Sequence, residues 1–152
     1  MERTGSQGRG RRAGILALVA MVALAACARP LPEDKLDYVG VWKSRAVTLV
    51  ISPGGRIAYQ RKTARANTHI SAPIQRFNDD GFTVGVVFFN TDFKVSVPPH
   101  RTDHHWMMMV DGEVLVRVAC VRDAGAGKLE QVPLADPTDR CIEEEAPQGV
   151  QI

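Results

Sequence analysis

From Tyr38 to Ala119 the apolar residues of this chain recur at every second position in short runs, each closed by proline, glycine, asparagine or aspartate. A period of two sets alternate side chains on opposite faces of an extended chain, and no window in this stretch carries the longer period of a helix, so the pattern commits it to β-strands. Val47, Leu49 and Ile51 alternate with Thr48, Val50 and Ser52; after Pro53, Gly54 and Gly55, Ile57 and Tyr59 alternate with Arg56, Ala58 and Gln60. Two strands joined by a tight turn follow. The stretch Thr68 to Arg76 reads as an edge strand, because Pro73 cannot donate to a ladder, and Asn78 to Gly81 is a turn. Phe82 to Phe89, apolar on both faces apart from Thr83 and Gly85, predicts a strand buried on two sides or a barrel wall. A short strand over Phe93, Val95 and Val97 is stopped by Pro98 and Pro99, and strands from His104 to Val110 and Val114 to Ala119 flank the hairpin pair Asp111-Gly112. Six to eight antiparallel strands result, and the predicted fold class is all-β: a small meander closed into a barrel or half-barrel.

Ahead of the strands stands a targeting segment. Arg3, Arg9, Arg11 and Arg12 precede an uncharged apolar run from Ala13 to Ala26, too short for a comfortable membrane span. The run closes on Leu24, Ala25, Ala26 and Cys27, and here the sequence resembles the lipobox of bacterial lipoproteins. The resemblance implies a signal peptide over 1–26 and a mature chain whose first residue, Cys27, is acylated and holds membrane lipid; Arg11 and Arg12 raise twin-arginine export, but a lone Arg pair is common in ordinary signal peptides, which favours general secretion. The neutral Ala28 that follows implies sorting to the outer membrane, periplasmic face. Residues 27–37, with two prolines and mixed charge, read as a tether ahead of a domain over 38–119.

Charge must be read on the processed chain. The first 26 residues hold four of the 19 Lys and Arg but one of the 17 Asp and Glu, so the remainder carries 15 basic and 16 acidic residues. A near-neutral chain gives no ground for nucleic-acid binding. No acid lies between Asp37 and Asp79, whereas Lys43, Arg45, Arg56, Arg61, Lys62, Arg65 and Arg76 all do. That stretch is either a solvated face or a basic patch for anionic lipid or another envelope polymer. Residues 120–152, rich in Gly, Ala, Pro and acids, predict a mobile acidic tail.

With Cys27 lipidated, Cys120 and Cys141 are the remaining cysteines. In an oxidising compartment they either bridge, closing a loop worth on the order of 3 kcal/mol, or stay as free thiols.

Tyr38, Gly40 and Trp42 form a Tyr-x-Gly-x-Trp opening similar to that of lipocalin-like barrels, and Thr91, Asp92 and Phe93 resemble the Thr-Asp-aromatic turn of the same family. The resemblance implies that Trp42 plugs one end of a barrel and that Arg117 or Arg122 packs on it. Gly40 and Thr91 lie closer together than in full lipocalins, and no helix follows the last strand, which sets a side-chain-filled interior against a ligand lumen lined by Trp42, Phe82, Phe88 and Phe93. The chain is also similar to small uncharacterised lipoproteins of Gram-negative bacteria, a likeness that brings no reaction with it.

Chemistry-bearing residues are few. His100, Asp103, His104 and His105 beside Met107, Met108 and Met109 offer ligands soft enough for copper, although neighbouring histidines on a strand point to opposite faces. No nucleophile elbow or paired-cysteine zinc spacing is present, and Asp103 with either histidine lacks a third partner. The expectation is a non-catalytic protein without cofactor: a lipid-anchored binding or scaffolding module meeting an envelope protein or polymer, with a lipocalin-like carrier of a small apolar ligand, and behind it a periplasmic metal-binding protein, as the alternatives.

Overall fold

The computed structural model describes residues 28–86, 88–125 and 128–142. The predicted signal peptide and Cys27 lie outside the described residues, as does the tail from 143 onward. A 3-10 turn, Glu33–Tyr38, leads into nine antiparallel strands: β1 Gly40–Lys43, β2 Val47–Ile51, β3 Arg56–Lys62, β4 Asn67–Asn78, β5 Gly81–Val86, β6 Phe89–Arg101, β7 Trp106–Val110, β8 Glu113–Asp123 and β9 Leu129–Pro133. Consecutive strands pair throughout, and β1 also pairs with β8 through Trp42↔Arg117 and Lys43↔Val116, closing an eight-stranded barrel with β9 added along β8. The all-β expectation holds.

The alternation read from the sequence sets the wall. Leu49, Ile51, Ile57, Tyr59, Met108, Val110 and Leu115 face inward and are buried, while intervening residues such as Gln60 and Val114 are exposed. The Pro53-Gly54-Gly55 and Asp111-Gly112 turns join the expected strands.

Three strands differ from the sequence reading, each for a local reason. The apolar run Phe82 to Phe89 is not one strand. β5 ends at Val86, which pairs with Phe89, so the chain reverses inside the run, where apolar patterning gives no turn signal. β6 is long rather than short and continues through Pro98 and Pro99. The register slips between Val97↔Met109 and His100↔Met107, and a bulge is where prolines need supply no ladder N–H. β4 is not an edge strand. Residues up to Pro73 pair with β3 and residues from Ile74 pair with β5. The Ile74 N–H points to Gly55 O at 2.8 Å on the β3 side, so the missing donor of Pro73 faces the side where β5 has not yet joined.

Both domain boundaries also move outward. The stretch expected as a tether is docked: Leu31 is buried and its N–H donates to Pro53 O at 2.9 Å, and Glu33–Tyr38 lies across the barrel end. Gly55, at φ +75°, is where this segment crosses, and any side chain there would collide with the Arg29 carbonyl. At the other end β8 runs past Ala119 to Asp123 and β9 follows, so the expected boundary at 119 falls inside a strand.

Candidate functional site

The best-defined polar arrangement sits at the closed end, where β1, β8, the 3-10 turn and the C-terminal segment meet. Gly40 has φ +142°, and a Cβ there would stand 2.6 Å from Arg117 Cδ, so glycine is required for Arg117 to cross beneath the strand. Arg117 is among the largest fully buried side chains. Its guanidinium lies 5.2 Å from the ring centre of Trp42 and 4.4 Å from that of Trp106, a cation held between two aromatic faces. Nη1 donates to the carbonyls of Val39 (3.1 Å) and Asp37 (3.3 Å), and Nη2 donates to Asp139 O at 3.1 Å. Nε is buried without a partner. Burial pulls the Arg117 pKa down to about 10, partly offset by Asp37, which leaves the side chain charged under physiological conditions. Of the two arginines expected to pack on Trp42, the structure selects Arg117; Arg122 is exposed on the outside of β8.

Around this cation the closed end is laced shut. Trp42 Nε1 donates to Tyr38 O at 2.8 Å and Trp106 Nε1 to Thr138 O at 2.9 Å. Arg140 pairs with Asp37 at 3.0 Å, and Cys120 is bonded to Cys141 with their Cα atoms 5.1 Å apart. Asp136 accepts hydrogen bonds from the Thr138 N–H and hydroxyl, which hold its carboxyl below the usual range. Sequence reasoning passed over Asp139 and Thr138 because they act through main-chain carbonyls, which leave no mark in side-chain identity.

The interior is occupied. Tyr38 meets Phe77 (5.3 Å) and Phe82 (6.4 Å) edge-on, Phe82 stacks on Phe93 at 5.2 Å, and Phe93 meets Tyr59 at 5.0 Å. These rings run as one contacting chain from the closed end into the barrel, in the geometry that aromatic pairs favour. Burial also pushes the Tyr38 phenol above its ordinary value. Trp42, Phe82 and Phe93 are all buried in the core. Phe88 is not: it is 88% exposed at the β5–β6 turn, because the chain reverses beside it instead of continuing along the wall. The grooves found among the described residues, of about 450, 350, 330 and 300 Å³, are bordered by outer and end residues such as Glu33, Asp79, Arg29 and His69.

Thr91, Asp92 and Phe93 form part of β6 rather than a turn, with Asp92 Oδ1 accepting from Thr83 Oγ1 at 2.5 Å. The histidines are likewise placed differently. His104 and His105 lie in the β6–β7 turn, where the Thr102 hydroxyl accepts the His105 N–H at 3.1 Å and donates to His105 O at 2.7 Å. His100 lies on β6 with Nδ1 3.0 Å from Pro98 O. Among the described residues no three His, Cys, Asp or Glu side chains converge as a metal ion would require, so His100, His104 and His105 do not assemble a copper site. Met108 is buried inward with Trp106 and Val110, as packing alone would place it.

Two apolar surfaces remain outside. On the outer face of β6 to β8, Val97 pairs across to Met109 and Met109 to Val114, with Met107 opposite Val116 and Val118 beyond. Val97, Val114 and Val118 are exposed. At the β5–β6 tip, Val86, Phe88 and Phe89 stand in solvent. Arg61 pairs with Glu113 at 3.2 Å at the end opposite the 3-10 turn, where Lys62 and Arg65 are also exposed.

Comparison of the chain with protein-family models, with curated proteins and with solved structures finds no match in any of the three.

Proposed function

We propose that the chain is a lipid-anchored, non-catalytic binding module of the bacterial cell envelope, held through Cys27 at the periplasmic face of the outer membrane, whose barrel presents its outer surface to an envelope protein. The observation that carries this reading is the filled interior: with Phe82, Phe93 and Tyr59 in mutual contact along the barrel, binding falls to the outside. A carrier of small apolar ligands would have to displace these rings. The outward row Val97, Met109 and Val114 supplies a surface of the right chemistry, since contiguous exposed apolar residues mark interaction sites and methionine adapts to a partner's contours. The anchor rests on the lipobox likeness at Leu24 to Cys27.

Two measurements test it. Fatty-acid labelling in cells should mark the wild-type chain and not Cys27→Ala; equal labelling refutes the anchor. A photocrosslinking residue at position 114 should capture a discrete partner in intact cells, whereas the same probe at Asn67, exposed on β4, should not. Capture of the same species from both positions, or none from 114, overturns the binding face.

A further inference from the structure

The β5–β6 tip carries an inference that rests on the anchor reading and extends it. Phe88 is 88% exposed and Phe89 80%, beside Val86 at 42%. Two adjacent phenylalanines standing almost wholly in water lose free energy in every state that leaves them there. Their place in the fold says what covers them. The chain enters the described structure at Ala28, and the Arg29 carbonyl lies against Gly55. Gly55 O accepts the Ile74 N–H at 2.8 Å, and the next residue, Gln75, donates through Nε2 to Gly85 O at 2.5 Å. Arg29 and Gln75 border one groove. From Gly85 the strand has only a few residues before it reverses, a rise of about 10 Å. The point of chain entry and the aromatic tip therefore share one flank.

That flank also carries three arginines, beside Asp34, which pairs with Lys35, and Asp123, which accepts the Gly54 N–H. Arg29 and Arg76 are exposed and Arg56 is half-buried, and among the described residues none of the three is paired with a carboxylate. The docking of residues from Leu31 onward leaves just Ala28 to Pro30 as slack between Cys27 and the barrel, about 10 Å when extended. A lipid on Cys27 would thus hold this flank at the bilayer.

We infer that the Phe88–Phe89 tip inserts into the anionic membrane surface beside the Cys27 anchor, with Arg29, Arg56 and Arg76 meeting lipid headgroups, so that the barrel is fixed by two points and lies in one orientation on the membrane. Aromatic side chains partition to the headgroup boundary, and basic residues near an anionic surface add to the attraction.

The test uses the mature chain purified from membranes and reconstituted into phosphatidylethanolamine–phosphatidylglycerol vesicles whose acyl chains are brominated. Because Trp42 and Trp106 are buried, Phe88→Trp adds an emission that reports the tip alone. That added emission should move to shorter wavelength and be largely lost to bromine quenching. Emission typical of water and untouched by bromine, in a chain that mass measurement shows to be acylated, overturns the insertion while leaving the anchor intact. A chain found without acyl groups sinks the anchor reading, and the same quenching on added vesicles then decides the tip. A blue shift that grows with protein concentration in the absence of lipid would mean that a second copy covers the tip, and overturns the proposal. As a second reading, vesicle binding of non-acylated Cys27→Ala should fall at least about tenfold on adding Phe88→Ser with Phe89→Ser; unchanged binding counts against insertion.

Discussion

At the level of single residues, Arg117 joins more of the molecule than any other side chain described. It ties the main chain on both sides of the closed end to the barrel wall while stacking between two tryptophans. Its charge is met by carbonyl dipoles at hydrogen-bond distance and by ring faces, with Asp37 adding attraction from farther off, so removing the head group strands several acceptors together. Arg117→Ala should lower unfolding free energy by roughly 3 kcal/mol, and Arg117→Lys should recover only part of this, because an ammonium offers no plane to stack; urea unfolding followed by tryptophan fluorescence reads both. Gly40→Ala should lose about 2 kcal/mol through backbone strain and the clash with Arg117 Cδ. The Tyr38 phenol, raised by burial, contributes stability that is complete below the ordinary phenol range and lost as pH climbs through the raised value. Alkaline unfolding should therefore accompany a late phenolate absorbance step that is missing in Tyr38→Phe; a step unchanged by that substitution would refute the assignment. Trp42, Gly40 and an arginine partner were legible in the sequence through the resemblance of the Gly-x-Trp opening to lipocalin-like barrels. The carbonyls of Val39 and Asp139 were not, since any residue supplies a carbonyl.

At the level of elements, the strands were legible wherever polar and apolar residues alternate and illegible where they do not. β2, β3, β7 and most of β8 follow the period of two, and their turns carry glycine. The β5–β6 reversal does not, because four apolar residues in succession hide a turn that tertiary closure imposes. The prolines of β6 misled in the opposite sense, reading as a stop where a bulge absorbs them. β9 and the segment behind it read as tail because their composition is polar; what holds them is the ladder to β8, main-chain acceptors for Trp106 and Arg117, and the Cys120–Cys141 bond. Reducing Cys120–Cys141, 21 residues apart, should lower stability by about 3 kcal/mol. It should also loosen the Thr138 and Asp139 contacts, seen as faster amide exchange at both residues while β2 and β3 keep their protection.

For the whole molecule, a packed aromatic interior leaves the outer face of the barrel as the surface that the proposed binding reading calls on. Phe82→Ala or Phe93→Ala should cost roughly 3 to 5 kcal/mol, as expected for core rings and not for rings that border an empty lumen; calorimetry on the purified domain separates the two. The ring closure itself has a further consequence. Each strand pairs with the next in sequence, and among the strand pairings of the described residues only β1 with β8 joins distant parts, Trp42 and Arg117 standing 75 positions apart. A chain that emerges stepwise can thus build hairpin upon hairpin as it arrives, with a single long-range strand pairing left for the end. Until β8 has crossed, β1 shows an open edge, so the interval between the emergence of β1 and closure is when this protein is most exposed to strand-to-strand aggregation.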